Sequence, residues 1–366
     1  MKFLVSRDAL QKPLMAVTNV VEKRQTLPIL ANLLIEVKGS TLSLTGTDLE
    51  VEIRSTLPIS NGENGIVTVP ARKFSDICRA LPDGADLTVS LDDDRIVIRS
   101  GKSRFALASL PAQDFPVVDA DSNVHTFALP QFMLKKAIAR TYFAMAQQDV
   151  RYYLNGMLFE ISPKSLVLVA TDGHRLALSE TEHRININEN QQVIMPRKGV
   201  VELLRLLDDN DEPVQIELGN SYIRIRSDAM CFTSKLIDGR FPDYQNVLPK
   251  NPDKVVVSDR NTLRQSLSRA AILSNEKYRG VRLAVSKGSL KIFAHNPDQE
   301  EAEEELSVDY SGQELEIGFN VSYLLDAIAA GDSELVQISL SDPNSCCLIQ
   351  GVGVPDNKYV VMPMRL

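Results

Sequence analysis

The most enzyme-like string in the sequence is Thr171-Asp-Gly-His-Arg-Leu176. Asp172 and His174 are two residues apart, so a carboxylate and an imidazole could act together as an acid–base pair. The sequence has no GxSxG string that would supply the nucleophile of a hydrolase. Asp-Gly between two alternating segments is also the ordinary signal of a hairpin turn. A hydrolase or transferase that uses Asp172 and His174 remains open as one hypothesis.

Two other candidate sites are weaker. Gly101-Lys102-Ser103 resembles the end of a phosphate-binding loop, but Ile96 stands where that loop needs its upstream glycine. The segment also lies between predicted strands rather than before a helix. The four cysteines show no CxxC spacing and fit neither a disulfide framework nor a zinc site. We therefore expect no metal and no cofactor.

Length and composition indicate a globular protein of more than one domain. The chain has 366 residues, of which 44% are hydrophobic and 24% charged, which predicts two or three domains and excludes general disorder. The net charge of −8 does not favour nucleic-acid binding. No secretory signal and no apolar run of about 18 residues is present. Together with the cysteine pattern, these features predict a soluble, cytoplasmic protein.

The sequence contains an internal repeat. Leu30–Glu36 resembles Leu154–Glu160, and the hydrophobic runs that follow end in Thr47-Asp48 and Thr171-Asp172, with an offset of 124 residues in both cases. A fainter third repeat begins at Tyr278, another 124 residues along. The spacing predicts three similar domains, 1–122, 123–248 and 249–366.

Each repeat reads as a strand, a helix, several strands, a second helix and further strands. Apolar residues at helical spacing are Leu10, Leu14, Val17 and Val21; Leu134, Ile138 and Phe143; and Leu263, Leu267 and Ala271. Pro13 is expected in the first turn of its helix, and shorter helices are expected to start after Pro70 and Pro196. Segments 41–45, 166–169 and 222–226 alternate and predict half-exposed strands. The fold class is therefore α+β.

The charge is divided between helices and strands. Five of the six predicted helical segments carry a net positive charge, although the whole chain is acidic. If these helices line one concave side, that side attracts phosphates while the rest of the surface repels them. No cluster of base-reading side chains is evident, so sequence-independent backbone contacts are expected.

Seven strings spread over the chain carry a family resemblance. They are Thr26–Leu33, Asp149–Met157, Thr171–Leu176, Met195–Gly199, Ser234–Tyr244, Asn275–Gly280 and Tyr359–Leu366. Together they resemble the bacterial DNA polymerase III sliding clamp family, the β subunit or processivity factor. The resemblance implies three DNA-clamp domains per chain, with helices lining a ring interior and antiparallel sheets outside.

The resemblance also implies a function without catalysis. A homodimeric ring would encircle duplex DNA and tether the replicative polymerase for processive synthesis. Because the linkage is topological, weak and sequence-independent phosphate contacts suffice. The implied partners are duplex DNA, a second copy of the chain, the replicative polymerase, a clamp loader and other proteins with short clamp-binding peptides, and no membrane.

The resemblance further implies a pocket for partner peptides. Its predicted residues are Leu154, Thr171, Gly173, His174, Arg175, Leu176, Pro242, Val247, Val360, Val361, Met362, Pro363, Met364 and Arg365. Apolar side chains with an arginine suit an extended peptide with a Leu or Phe anchor. The sequence departs from the family pattern at Asn246, Asn344 and Cys346, which affects the expected peptide preference.

Two further sets of residues follow from the resemblance. DNA contacts are expected from Arg24, Arg72, Gln147, Tyr152, Tyr153 and Lys198. A subunit interface is expected from Lys73, Ile77, Phe105, Leu107, Ile272, Leu273, Glu300, Glu301, Glu303 and Glu304. The acidic block 298–305 is expected on an edge strand, where carboxylates prevent indiscriminate pairing.

Two alternatives to the clamp remain open at this point. One is the DNA-acting enzyme that uses Asp172 and His174, which predicts turnover that is lost when His174 is replaced by Ala. The other is a protein-interaction scaffold with no role on DNA.

Overall fold

The structure is a computed structural model that describes residues 1–22, 27–60, 62–118, 124–250 and 252–365. The chain forms two compact units. The first consists of Met1–Phe132 and Val201–Leu236, and the second of Met133–Val200 and Ile237–Leu366. Each unit contains two antiparallel β-sheets.

The first repeat contains nine strands and two helices. They are β1 (Lys2–Ser6), α1 (Arg7–Val20), β2 (Asn32–Lys38), β3 (Thr41–Thr47), β4 (Val51–Pro58), β5 (Gly62–Glu63), β6 (Gly65–Pro70), α2 (Ala71–Ala80), β7 (Asp86–Asp92), β8 (Arg95–Ser100) and β9 (Ser103–Ala108). This order agrees with the predicted succession of strands and helices.

The second repeat has the same succession without the short strand β5. Its elements are β10 (His125–Pro130), α3 (Gln131–Ala139), β11 (Gly156–Ile161), β12 (Ser165–Thr171), β13 (Arg175–Glu182), β14 (Gln191–Pro196), α4 (Arg197–Leu206), β15 (Pro213–Leu218), β16 (Tyr222–Arg226) and β17 (Met230–Lys235). Short 3₁₀ turns at Tyr142–Ala144 and Tyr152–Asn155 connect α3 to β11.

The third repeat follows the second closely. Its elements are β18 (Lys254–Asp259), α5 (Arg260–Ala270), β19 (Gly280–Ser286), β20 (Ser289–His295), β21 (Glu301–Ser307), β22 (Leu315–Asn320), α6 (Val321–Ala330), β23 (Leu335–Leu340), β24 (Cys347–Gly351) and β25 (Val354–Val361). The described residues thus contain six α-helices, two in each repeat, and the α+β prediction is confirmed.

The sheets join strands of successive repeats. The first unit has a five-stranded sheet, β5-β1-β7-β8-β9, and an eight-stranded sheet, β10-β15-β16-β17-β4-β3-β2-β6. The second unit has an eight-stranded sheet, β14-β11-β12-β13-β25-β24-β23-β18, and a four-stranded sheet, β21-β20-β19-β22. Both eight-stranded sheets have the same plan, since four strands of one repeat meet four of the next through β4 and β17 or through β13 and β25.

Local sequence signals explain where the helices begin. The side chains of Ser6, Asp259 and Asn320 accept backbone N–H bonds in the first turns of α1, α5 and α6. The second helices of the first two repeats start directly after Pro70 and Pro196, as predicted.

Three local predictions were wrong. Pro13 lies in the interior of α1, because the Ser6 cap starts the helix at Arg7, well before the proline. Phe143 lies beyond the end of α3, in the following 3₁₀ turn. Strand β12 is buried on both faces rather than half-exposed, because it lies in the middle of an eight-stranded sheet under a 3₁₀ turn.

Equivalent helices pack on equivalent sheets. Helix α1 buries Leu10, Leu14 and Val17 and packs on β3, β4 and α2. Helix α5 buries Leu263 and Leu267 and packs on β20, β21 and α6. Each helix turns its apolar stripe to a sheet, so its remaining polar residues stay available on the other side.

Candidate functional site

The string Thr171–Leu176 forms the hairpin between β12 and β13. The Asp172 carboxylate accepts hydrogen bonds from the backbone N–H groups of His174 (2.9 Å) and Arg175 (3.0 Å). Gly173 has a φ of +88°, a conformation that glycine adopts without a Cβ penalty. The turn is therefore specified by its own residues.

Asp172 is not arranged as the acid–base partner of His174. One carboxylate oxygen accepts the two backbone bonds of the turn, and the other accepts Arg175 Nε at 3.1 Å. The His174 side chain is exposed. A carboxylate whose two oxygens both hold its own hairpin does not serve as a poised general base.

Arg175 holds the base of the hairpin to neighbouring elements. Its guanidinium group forms an ion pair with Asp326 of α6 and donates to the Phe143 carbonyl at 2.8 Å. It also lies over the Tyr323 ring, 4.5 Å from the centroid. The side chain is only 14% exposed. These contacts fix its orientation on one side of the hairpin.

A cavity of about 220 Å³ lies beside this hairpin, and we call it the Val360 pocket. It is lined by Arg151, Leu154, Thr171, Gly173, Arg175, Leu176, Pro242, Tyr244, Val247, Val360 and Met362. Leu154, Leu176 and Val360 are almost fully buried, whereas Val247 and Met362 are about two-fifths exposed. The pocket thus has an apolar base and accessible apolar sides, which suits the burial of a single apolar side chain.

Nine of the predicted peptide-pocket residues line this cavity. They are Leu154, Thr171, Gly173, Arg175, Leu176, Pro242, Val247, Val360 and Met362. The structure brings them together through the pairing of β13 with β25, which sets Leu176 opposite Val360.

The other five predicted pocket residues do not line the cavity. His174, Pro363, Met364 and Arg365 lie outside it, and Val361 is buried beside Val360. Successive strand residues point to opposite faces, so Val361 faces away from Val360. The chain after β25 is held by Met362 N–H on the His174 carbonyl and Met364 N–H on the Gly318 carbonyl, both at 2.9 Å.

Two further residues, Arg151 and Tyr244, line the pocket although neither was predicted from the sequence. The Arg151 guanidinium pairs with both oxygens of Asp149, at 3.0 and 2.9 Å, and this hydrogen bonding lowers the Asp149 pKa to about 2. Arg151 also donates to the Asp172 carbonyl at 3.4 Å. The Asp149-x-Arg151 spacing was a possible signal for this fixed cation.

Tyr244 is 8% exposed and belongs to the core cluster that includes Leu176 and Val360. The Asp243 side chain caps the 3₁₀ turn that carries it. The Pro242-Asp243 pair could have indicated this turn, but nothing in the sequence places Tyr244 beside β13.

The three departures from the family pattern have side chains or backbone groups with identifiable partners. The Asn246 side chain donates to Asp243 at 2.8 Å, and Asn344 N–H donates to Asp342 at 2.8 Å. The Cys346 thiol lies 3.5 Å from the Val247 carbonyl, and burial raises its pKa. None of the three lines the cavity.

The predicted DNA contacts are distributed over both units. Arg24 lies outside the described residues. Arg72 in the first unit is exposed on α2 and donates to the Val21 carbonyl at 2.9 Å. In the second unit, Gln147 is exposed and Lys198 is half-buried at the start of α4.

The adjacent tyrosines of the second unit differ in exposure. Tyr152 is 56% exposed, whereas Tyr153 is half-buried against the core cluster. Their rings meet edge to face with centroids 5.7 Å apart. Tyr152 therefore offers an accessible ring of the kind that stacks on bases or sugars.

The predicted interface residues lie on or beside two edge strands. Strand β9 is an edge of its sheet and carries half-buried Phe105 and Leu107; Lys73 and Ile77 lie on α2. Strand β21, which contains most of the acidic block, is an edge of another sheet, as predicted. After α5, Ile272 is 76% exposed and Leu273 is half-buried.

The acidic residues of this strand differ in their partners. Glu301 and Glu303 are exposed, and Glu303 lies 3.3 Å from Lys291. Glu304 forms a bidentate pair with Arg269 at 2.7 and 2.6 Å, which lowers the Glu304 pKa. Glu300 precedes the strand and accepts from Asn296. Glu301 and Glu303 are thus better placed than Glu304 to meet a partner.

Within the described ranges, no group of three or more His, Cys, Asp or Glu side chains could hold a metal ion. No helix in the same ranges is long and apolar enough to cross a membrane.

Three family models match successive parts of the chain. They describe the N-terminal, central and C-terminal domains of the DNA polymerase III beta subunit and match residues 1–119, 128–243 and 245–365. The chain belongs to the DNA polymerase III beta subunit family. The beta sliding clamps of Pseudomonas putida and Escherichia coli K12 are 55% and 53% identical to it, with complete coverage of both chains in each case.

Solved structures agree with this assignment. The DNA polymerase III subunit beta of Pseudomonas aeruginosa matches with a TM-score of 0.96 and 52% identity, with complete coverage of both chains. A sliding clamp from the same organism bound to griselimycin matches with a TM-score of 0.97 and 53% identity, also over the whole of both chains. The function is therefore that of a sliding clamp in DNA replication, a processivity factor that works with DNA and the polymerase. It is not an enzyme, and the hypothesis of catalysis by Asp172 and His174 is wrong.

Proposed function

We propose that two copies of this chain close into a ring around duplex DNA, and that the Val360 pocket binds short apolar peptide segments of its protein partners. These partners would include the replicative polymerase, a clamp loader and other DNA-processing proteins. The site of action would be the bacterial cytoplasm, where the chromosome lies. The observation that carries the proposed ring is the strand order that recurs in the sheets.

The sheet plan predicts how the ring closes. Each eight-stranded sheet consists of two four-stranded halves. The halves are joined by β4 and β17 in the first unit and by β13 and β25 in the second unit. In the four-stranded sheet, β21 is the strand equivalent to β4 and β13. In the five-stranded sheet, β9 is the strand equivalent to β17 and β25. Pairing β9 of one chain with β21 of a second chain would complete the same plan. The two-fold symmetric dimer would form this junction twice and leave neither edge open.

Charge and apolar surface support the same junction. Strand β9 carries exposed Arg104 and follows exposed Lys102, whereas β21 carries exposed Glu301 and Glu303. Opposite charges fix register and orientation at an interface. Beside β21, Ile272 offers an exposed side chain that a partner chain could bury. A polar rim around such apolar contacts is typical of protein interfaces.

The proposed DNA contacts suit sliding. Arg72, Lys198 and Arg24 would contact phosphates, and Gln147, Tyr152 and Tyr153 would contribute polar and stacking contacts. Phosphate contacts carry no sequence information, so they do not hold the ring at one site. Encirclement would provide the attachment that weak contacts do not.

The Val360 pocket suits an apolar anchor residue of a peptide. Burying a Leu or Phe side chain contributes about 1.5–3 kcal/mol, enough to make one anchor dominate a short peptide's affinity. Arg151, fixed by Asp149 at the same cavity, offers donors to the peptide backbone. Pro363, Met364, Arg365 and His174 remain proposed contacts for peptide residues outside the cavity. The buried Val361 is not proposed as a peptide contact, because it faces away from Val360.

The domain boundaries 1–122, 123–248 and 249–366 also remain a proposal. The ranges of the three family models support it, because their gaps fall near both boundaries.

Peptide binding to the Val360 pocket can be tested with a fluorescent peptide that carries a Leu-Phe anchor. Met362→Ala removes an accessible wall residue and should weaken binding about fivefold, which corresponds to about 1 kcal/mol. Met15→Ala is the matched control, because Met15 is 53% exposed on α1 and does not line the Val360 pocket. Equal affinity of the two variants would contradict the proposed pocket.

A further inference from the structure

A second cavity adjoins the Val360 pocket. It has a volume of about 570 Å³ and is lined by residues of β11, β14 and the loop 240–245, and we call it the Glu160 pocket. Pro242 and Tyr244 line both cavities. One loop therefore forms a wall common to both cavities, so that the two cavities lie side by side.

The Glu160 pocket combines an apolar floor with a fixed carboxylate. Leu158 is 2% exposed and Phe241 is 8% exposed. Glu160 Oε2 accepts hydrogen bonds from Gln192 Nε2 at 2.6 Å and from the Tyr244 hydroxyl at 3.4 Å. Both donors approach the same oxygen, and no described residue donates to Oε1. The carboxylate is thus held in place with half of its acceptor capacity unused.

The electrostatic environment of this pocket favours a cation. Asp243 is a second carboxylate in its lining. Burial raises the pKa of the Tyr244 hydroxyl, and the negative charges of Glu160 and Glu180 raise it further. Arg240 is the only cation in the lining; it is exposed and has no hydrogen-bond or ion-pair partner among the described residues. No described residue fixes the Arg240 side chain over the pocket, so it can move aside for a ligand.

We propose that the Glu160 pocket binds a lysine or arginine side chain that flanks the apolar anchor of a partner peptide. The inference rests on the proposed role of the Val360 pocket. The aliphatic stem of the base would lie over Leu158 and Phe241, and its charged end would pair with Glu160. The Tyr153 ring at the same floor can add a cation–π contact. Partner peptides would then be selected at two points, by apolar fit and by charge.

The test uses fluorescent peptides that share one Leu-Phe anchor. Two positions on each side of the anchor are varied one at a time, and each carries either Lys or norleucine. Norleucine keeps the apolar stem and removes the charge. The peptides are titrated against the full-length protein, Glu160→Gln and Glu182→Gln. Glu182 is the matched control, since it is exposed at the end of β13 in the same unit and lines neither cavity.

At one flanking position, Lys should strengthen binding about fivefold relative to norleucine for the wild type and for Glu182→Gln. The ratio should fall to about one for Glu160→Gln. Because the ratio is taken within each variant, a general change in folding or anchor affinity cancels. Glu160→Lys should reverse the preference, so that a peptide with Glu at that position binds better than its Lys counterpart.

Two results would overturn this inference and leave the proposed function of the Val360 pocket intact. They are equal affinities of the Lys and norleucine peptides at all positions, and a Lys preference that survives Glu160→Gln. In both cases the norleucine peptide still binds, so the proposed function of the Val360 pocket stands. If no peptide binds the wild-type protein, the proposed pocket itself is wrong, and the inference falls with it.

Discussion

Replacing Arg175 by methionine should destabilise the second unit by about 3 kcal/mol. Methionine keeps apolar contact but leaves the partly buried Phe143 carbonyl without its donor, which costs about 1–2 kcal/mol. The bonds to Asp172 and half-exposed Asp326 contribute about 0.5 kcal/mol each after solvent screening. Loss of the contact with the Tyr323 ring adds about 0.5–1 kcal/mol.

Urea unfolding followed by circular dichroism measures this change. With a slope of about 2.5 kcal/mol per molar urea, the midpoint of the affected transition should fall by about 1.2 M. Arg240→Met is the control, because Arg240 is exposed and unpaired in the described part of the chain, and its midpoint should change by less than about 0.2 M. If both variants shift the midpoint equally, the assigned role of Arg175 in holding the hairpin is refuted.

Three further outcomes are expected. Gly173→Ala should cost about 1–2 kcal/mol, because alanine disfavours a φ of +88° and its Cβ would meet the Arg151 guanidinium at 3.0 Å; an unchanged thermal midpoint would contradict this. The Asp149 carboxyl should titrate near pH 2 by NMR, because its pKa is lowered from 3.8 to about 2. Its stabilising pair with Arg151 is therefore complete above about pH 4 and is lost as the pH falls through 2. A titration midpoint near pH 4 would show that the pair is absent. Replacing Glu301 and Glu303 together by Lys should weaken the proposed dimer at least tenfold by analytical ultracentrifugation, and an unchanged dimer would disprove the β9–β21 junction.

The repeat predicted most of the fold, because equivalent residues in three copies meet equivalent neighbours. Pro70 and Pro196 marked helix starts since proline acts locally on its own turn. The prediction that Pro13 lies in the first turn of its helix was wrong, because Ser6 caps the helix earlier in the chain. Tertiary packing on β3 and β4 tolerates the proline within the helix. Local signals thus failed where a competing cap or the packing decided the outcome.

The pocket was partly predictable. The family resemblance named Leu176 and Val360, and the β13–β25 pairing brings them together. Arg151 and Tyr244 were missed because their positions depend on contacts with residues far away in sequence or on a 3₁₀ turn. Val361 was included because a run of apolar residues does not reveal which one faces a cavity. That assignment requires the register of the strand.

Encirclement of DNA is tested by comparing how the protein is retained on circular and on linear duplexes. The protein is loaded on a nicked circular plasmid by its clamp loader, isolated by gel filtration, and then treated with a restriction enzyme that cuts the plasmid once. We predict that the protein stays with the intact circle at high salt and is released when the circle is cut. Equal retention on circular and linear DNA would show ordinary binding and would contradict the ring.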